Sequence, residues 1–348
     1  MKKFVALTLG AALAASCLSG CGGGGSSAGE VNVYNWGEYI DMSVLEDFEA
    51  ETGIKVNYKT FDSNETMYSM LSGGGTEYDV IIPSDYMISR LIEEDMLEPL
   101  NFDNIPNFSD IDPELKNPEY DPENLYSVPY MWGLMGVIYN TTMVDEADTG
   151  SWDLLWNDKY ANDIVMIDNS RDAVGIALKR LGYSYNTTDA AQITEAVDTL
   201  IEQKPILQRY AMDEIFGALE GGNAAIGTYY YGDYLTMAEN NPDLAFYLPE
   251  EGTNIYVDAM CIPKGAANKE NAEAFINYMC STQAGLKNCE EIWYSTPLMS
   301  VREELDPEVS GDPMAYPDAE IMAQCESYTN LPQDILDLYT SEWLRLKA

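Results

Sequence analysis

No histidine occurs in these 348 residues, so any chemistry here falls to carboxylates, hydroxyls, thiols and aromatic rings. The commonest general base, the commonest zinc ligand and the usual serine or cysteine triads are thereby removed. Paired carboxylates could still hydrolyse glycosides, and grouped carboxylates could still hold calcium. Beyond Cys21 the cysteines are Cys261, Cys280, Cys289 and Cys325, none in a CxxC spacing, which argues against a thiolate metal site. Cys280 and Cys289 are the pair closest in sequence, but four cysteines allow three pairings, and free buried thiols fit equally well. No metal and no cofactor are expected. In Tyr34-Asn35-Trp36-Gly37-Glu38-Tyr39-Ile40 aromatics stand at the end of a β-type run, where side chains face either a cleft or, more commonly, a core.

The elements that must position such residues alternate between strand and helix. Residues 31–35 form a β-type run, and Ser43 is placed to cap a helix whose Val44, Leu45 and Phe48 share a face before Gly53 stops it. Residues 55–58 alternate as a second strand, and Asn64 caps a helix carrying Met67, Met70 and Leu71 up to the glycines at 73–75. Val80-Ile81-Ile82 is the continuous apolar run of a buried parallel strand, followed after Pro83-Ser84 by a helical pattern at Met87, Leu91 and Met96. That order argues for an α/β sheet with ligand sites at the carboxyl ends of its strands, where Ser84 sits. Residues 101–124, rich in Pro, Asn and Asp, read as irregular, and a strand at 136–140 leads into a second lobe. There follow a strand at 164–167, a helix over 171–181 stopped by Gly182, and an amphipathic helix opened by Thr188 with Ile193, Val197, Leu200 and Ile201 on one face. Strand-like runs at 224–231, 244–248 and 256–262 precede a helix over 271–279.

At the N-terminus Lys2 and Lys3 precede an apolar run over 4–18, then Leu18-Ser19-Gly20-Cys21 and a Gly/Ser/Ala stretch. Residues 1–20 read as a signal peptide. The segment resembles a bacterial lipobox, which implies cleavage before Cys21, diacylglycerol on its sulfur, and a flexible leash over 21–29. A spanning anchor is the alternative, but the run is shorter than the roughly 20 residues this needs and no charged stop follows. Two acyl chains suffice to hold a soluble domain on a membrane. The expected location is the outer face of the cytoplasmic membrane, or the periplasm of a Gram-negative source. The remaining chain exceeds 320 residues, enough for two lobes. The full sequence has 59 acidic against 18 basic residues, a net charge of −41, or −43 once Lys2 and Lys3 are removed. Such a field repels phosphates and draws cations, which argues against nucleic acid as a partner.

Further along come Ser63-Asn64-Glu65-Thr66-Met67-Tyr68, Tyr78-Asp79-Val80-Ile81-Ile82-Pro83-Ser84-Asp85-Tyr86, Ser127-Val128-Pro129-Tyr130-Met131-Trp132-Gly133 and Tyr294-Ser295-Thr296-Pro297. With Asn107-Phe108-Ser109, Asn186-Thr187-Thr188-Asp189 and Tyr316-Pro317-Asp318-Ala319-Glu320, these pieces resemble the solute-binding proteins of spermidine/putrescine ABC transporters, from about residue 31 to the C-terminus. The resemblance implies an α/β type II periplasmic-binding fold, two α/β lobes joined by two crossovers with the ligand cleft between them. Lobe 1 would comprise 30–135 and 259–302, and lobe 2 would comprise 136–258 and 303–348. The implied partners are a polyamine and an ABC permease, and the protein would act as a monomer.

A polyamine is an alkyl chain carrying ammonium groups, each of which needs a carboxylate once desolvated, while its methylenes suit aromatic walls. By the resemblance, Trp36, Tyr230 and Tyr256 would be walls and Asp172 and Asp258 charge partners, with Tyr39, Ser84, Tyr86 and Tyr294 supplying hydroxyls. The chain also departs from the spermidine-type pattern. Asn169 stands where an acid is usual, with Asp168 beside it as a poor substitute because a one-residue shift on a strand reverses the side chain. A glutamate is shortened to Asp172, two tryptophans become Tyr230 and Tyr256, and a glutamine becomes Thr329. These changes leave open putrescine, spermidine or another cationic solute. Two other readings stand beside a lipid-anchored polyamine receptor. One is the same fold binding a sugar or an amino acid derivative; the other, more remote, is an exported carboxylate-pair glycoside hydrolase.

Overall fold

The computed structural model describes residues 29–74 and 77–348. The signal peptide, the lipidation site at Cys21 and the leash up to residue 28 lie outside the described residues. The described residues form ten strands, β1 (Glu30–Trp36), β2 (Lys55–Phe61), β3 (Val80–Ile81), β4 (Ser127–Asn140), β5 (Ile164–Ile167), β6 (Leu207–Ala211), β7 (Ile226–Tyr230), β8 (Leu244–Tyr247), β9 (Thr253–Cys261) and β10 (Cys325–Glu326). Their order is β2-β1-β3-β9-β4-β7-β5-β6, with β10 on β9 and β8 on β4.

Each end of this order is a parallel α/β unit. β1 pairs in parallel with β2 and β3, and β5 pairs in parallel with β6 and β7. The helices α1 (Met42–Thr52), α2 (Asn64–Ser72) and α3 (Asp85–Glu93) serve the first unit, while α4 (Ser170–Arg180), α5 (Ala190–Gln203), α6 (Glu214–Glu220) and α7 (Tyr231–Asn240) serve the second. Between the units two long antiparallel strands lie side by side. β4 pairs with β9 from Ser127 to Leu134 and then with β7 from Met135 to Tyr139, so one strand belongs to both units. Reading only 136–140 as strand caught its second half; the first half, Ser127-Val128-Pro129-Tyr130, contains a proline and a register shift beside it, which breaks the usual pattern.

Apolar burial divides in the same way. One core gathers side chains from 31–131 and 256–301, a second from 135–244 and 331–346, and a smaller third includes Tyr34, Met87, Tyr185 and Tyr328. The late segment joins the first core through α8 (Lys269–Met279), whose Phe275 meets Phe48 of α1 edge-on at 5.3 Å. α9 (Thr282–Ile292) follows it, and the C-terminal helix Gln333–Lys347 packs on α4 and α5.

Three helix caps differ from expectation by one or two residues. Asp41 caps α1 by accepting the Ser43 amide, Ser63 caps α2 through the Thr66 amide, and Asp189 caps α5 through the Ala191 amide. In each pair both residues are good caps, and which oxygen is used depends on where the helix axis is fixed by packing. The stretch 101–124 holds only short 3-10 turns. Cys261, Cys280, Cys289 and Cys325 are all free thiols.

Candidate functional site

Strand ends and helix starts from both units converge on one cleft of about 800 Å³, its mouth included. Trp36 arrives at the end of β1, Ser84 and Tyr86 at the start of α3, Asn169 and Asp172 at the start of α4, and Tyr230 at the end of β7. Tyr256 and Asp258 come from the middle of β9. Tyr294 follows α9, which ends at Trp293 in the left-handed region with φ 59°. A bulky residue held there is strained, and the turn it makes delivers Tyr294 to the cleft. Tyr39 completes the group.

Asp258 is 5 % exposed. Its two oxygens accept the Tyr39 hydroxyl at 2.8 Å and the Ser84 hydroxyl at 2.6 Å. Asp172, also buried, accepts the Tyr230 hydroxyl at 2.8 Å and the Tyr328 hydroxyl at 3.1 Å. Burial pushes both carboxyls up to about 6, against the pull of these hydroxyl donors. Neither forms an ion pair among the described residues. A carboxylate so placed retains an uncompensated demand for positive charge.

The walls are aromatic. Tyr230 meets Tyr256 at 5.0 Å, Tyr39 meets Tyr294 at 4.7 Å, and Trp36 leans on Phe61 at 4.6 Å. Tyr86 lies toward one end, its hydroxyl donating to Glu65 at 3.0 Å and accepting from Asn64 at 3.2 Å. Asn64 is therefore committed to this network, also donating to Ser84 at 3.0 Å, and Ser63 is left to cap α2.

The structure brings together all but one of the residues singled out in the sequence. Thr329 is exposed and outside the lining; its carbonyl instead receives Arg171 at 3.4 and 3.5 Å, and the neighbouring Tyr328 lines the cleft. Asn169 lines the cleft, but its oxygen caps α4 by accepting the Arg171 and Asp172 amides. Asp168 binds Lys347 at 2.6 Å and lies outside the cleft lining, as the strand argument required.

Several lining residues were missed, Arg171 and Tyr328 among them, and one of the missed residues is a third buried acid. Asp233, one turn beyond Tyr230, lines the cleft at 6 % exposure and accepts the Tyr294 hydroxyl at 2.5 Å. Burial pushes its carboxyl up to about 8, Tyr294 opposes this, and Asp213 and Glu38 push further upward. This contact joins the two units, because Tyr294 packs in the first core and α7, which carries Asp233, packs in the second through Met237. Gly232 makes it possible: an added methyl would come within 2.3 Å of the Tyr294 ring. At Gly37 an added methyl would come within 2.8 Å of Asp213, a second close approach between the units.

The model of the family described as bacterial extracellular solute-binding protein matches residues 43–317. The spermidine/putrescine-binding periplasmic protein of Salmonella typhimurium is 35% identical over 316 residues, 90% of each chain. Among solved structures, a putative spermidine/putrescine ABC transporter protein from Listeria monocytogenes superposes with a TM-score of 0.89 at 39% identity, covering 91% of this chain and 98% of that one. A spermidine/putrescine ABC transporter substrate-binding protein from Streptococcus pneumoniae gives 0.77 at 41% identity, covering 92% and 99%.

Proposed function

Because the chain belongs to the bacterial extracellular solute-binding proteins and has their type II fold, we propose that it captures a polyamine, putrescine or spermidine, and delivers it to an ABC permease. One observation carries this reading: Asp172, Asp233 and Asp258 are buried in an aromatic cleft where their hydrogen-bond donors are hydroxyls of tyrosine and serine. Ammonium groups supply the missing charge, and the rings of Trp36, Tyr230 and Tyr256 flank the methylenes, each cation–π contact adding roughly 0.5–2 kcal/mol. Tyr39, Ser84, Tyr86 and Tyr294 orient the carboxylates and the ligand. A neutral sugar also suits aromatic walls but leaves the buried carboxylates of Asp172 and Asp258 without an ion-pair partner. The ligand is released unchanged.

In this reading lobe 1 is 30–135 with 259–302 and lobe 2 is 136–258 with 303–348. The lobes close on the ligand about β4 and β9, and contacts from both make the ligand favour the closed form. The chain acts as a monomer tethered through lipidated Cys21 after removal of residues 1–20. No helix among the described residues is long and apolar enough to cross a membrane.

The test is a thermal-shift panel on protein beginning at Gly22, unfolded and refolded to strip any carried solute. Putrescine or spermidine at micromolar concentration should raise the melting temperature, and neutral sugars or amino acid derivatives should not. A shift with a sugar alone would replace the polyamine by that solute.

A further inference from the structure

Asp312 lies outside the cleft lining, on the segment between the short helices Pro307–Ser310 and Ala319–Met322. One of its carboxylate oxygens accepts the hydroxyl of Tyr231, the first residue of α7, and the other accepts the Met314 amide at 2.8 Å. Tyr231 is buried, and its ring packs on Phe246 at 4.9 Å. That packing does not require the hydroxyl, so the bond to Asp312 is a separate constraint on where α7 begins. The first turn of α7 lacks a capping side chain, because Tyr230 at its N-cap makes no side-chain bond to the helix amides, and helix ends left in this way fray.

The same segment also grips the neighbours of Tyr294. The Ala315 carbonyl accepts the Ser295 hydroxyl at 2.6 Å, and the Tyr316 hydroxyl accepts the Thr296 amide at 3.4 Å. Within the segment the Tyr316 amide donates to the Asp312 carbonyl at 2.8 Å, and Arg302 lies over the Tyr316 ring at 4.1 Å. Residues 312–316 therefore hold Tyr231 on one side and residues 295 and 296 on the other. Between these two grips lies the contact that joins the units, where the Tyr294 ring rests against Gly232 and its hydroxyl donates to Asp233. The bonds close a ring that runs from Asp233 through Tyr231, Asp312 and Tyr316 to Tyr294 and back to Asp233.

Resting on the polyamine reading above, we propose that Asp312 is a positioning residue for the cleft: by holding Tyr231 it sets the first turn of α7 so that Asp233 stands against Tyr294 and faces the ligand. Asp312 itself is outside the lining, so its effect on binding passes through Asp233. Without the bond to Tyr231 the first turn of α7 is free to shift against Tyr294, and Asp233 no longer holds its place beside an ammonium. Asp172 and Asp258, delivered by α4 and β9, keep theirs.

The test is a double-mutant cycle on spermidine affinity, read by isothermal titration and, for the weakest variants, by the melting-temperature shift at high spermidine. Asp312→Ala should bind roughly fivefold or more weakly than wild type, and Tyr231→Phe, which keeps the ring and removes only the hydroxyl, should lose about as much. In an Asp233→Asn background Asp312→Ala should cost less than about twofold, whereas in an Asp258→Asn background it should cost the full factor. A residue that merely supported the fold would cost the same factor in both backgrounds. That result would overturn the proposal, as would wild-type affinity in folded Asp312→Ala. If Asp312→Ala does not fold, Tyr231→Phe takes its place in the cycle with the same two outcomes. Absence of binding by folded wild-type protein would instead defeat the polyamine reading and this inference with it, whereas a failed cycle on protein that binds spermidine would remove this inference alone.

Discussion

At the scale of single residues, Asp233 makes the most testable demand. Its carboxyl is pushed up to about 8 by burial, far above its unfolded value of about 4. An acid raised in this way stabilises the fold while protonated and gives up that stability as pH climbs through the folded value. Without ligand the protein should therefore melt at a lower temperature at pH 8 than at pH 6. Asp233→Asn should flatten that difference without abolishing it, because buried Asp85, also pushed up to about 8, keeps its share. Circular dichroism melts at the two pH values read this directly, and an undiminished difference in Asp233→Asn would remove Asp233 from the account. A polyamine favours the ionised form, so binding should release protons and its heat should change with the ionisation enthalpy of the buffer. Asp258 was carried over from the family resemblance, and the apolar residues around it in Tyr256-Val257-Asp258-Ala259-Met260 support a buried role. Asp233 was not singled out, because an acid in the first turn of a helix is already explained by the helix dipole. The available signal was its spacing of three from Tyr230, which carries both side chains to the same strand end.

At the scale of elements, the strand-helix alternation was readable because β3 and β5 are short apolar runs ended by Pro or polar residues, and β1 and β7 are β-type runs rich in Val, Ile and Tyr. The cap oxygens were less so, since Asp41 with Ser43 and Ser63 with Asn64 offer equivalent chemistry within two residues. Asn64 was decided by tertiary demand, being needed by Ser84 and Tyr86. The start of α7 gives the prediction at this level. Gly232→Ala would drive a methyl to within 2.3 Å of a ring that is itself buried, so the first turn of α7 could no longer meet Tyr294. Spermidine affinity should fall at least tenfold, about 1.4 kcal/mol, while the melting temperature of the protein without ligand stays within a few degrees. Wild-type affinity in this variant would mean that Tyr294 and Gly232 need not meet when ligand binds.

At the scale of the molecule, the discontinuity of the two cores could not be derived from periodicity. Nothing in residues 271–279 indicates that α8 packs against α1, where Phe275 meets Phe48; the expectation that the chain returns to its first lobe came from resemblance. Equally, Thr329 was carried over by position, and a one-residue difference put Tyr328 in the lining instead, as happens where a segment has little regular structure to fix its register. Closure about β4 and β9 predicts that saturating spermidine contracts the radius of gyration in solution scattering; an unchanged radius would argue that the lobes are closed throughout. The central claim is that buried carboxylates in this cleft hold a polyamine, and isothermal titration of spermidine into stripped wild-type protein beside Asp258→Asn tests it most directly. The account predicts micromolar or tighter binding by wild type and at least tenfold weaker binding by the variant, both equally folded. Equal affinities, or no binding by folded wild-type protein, would contradict it.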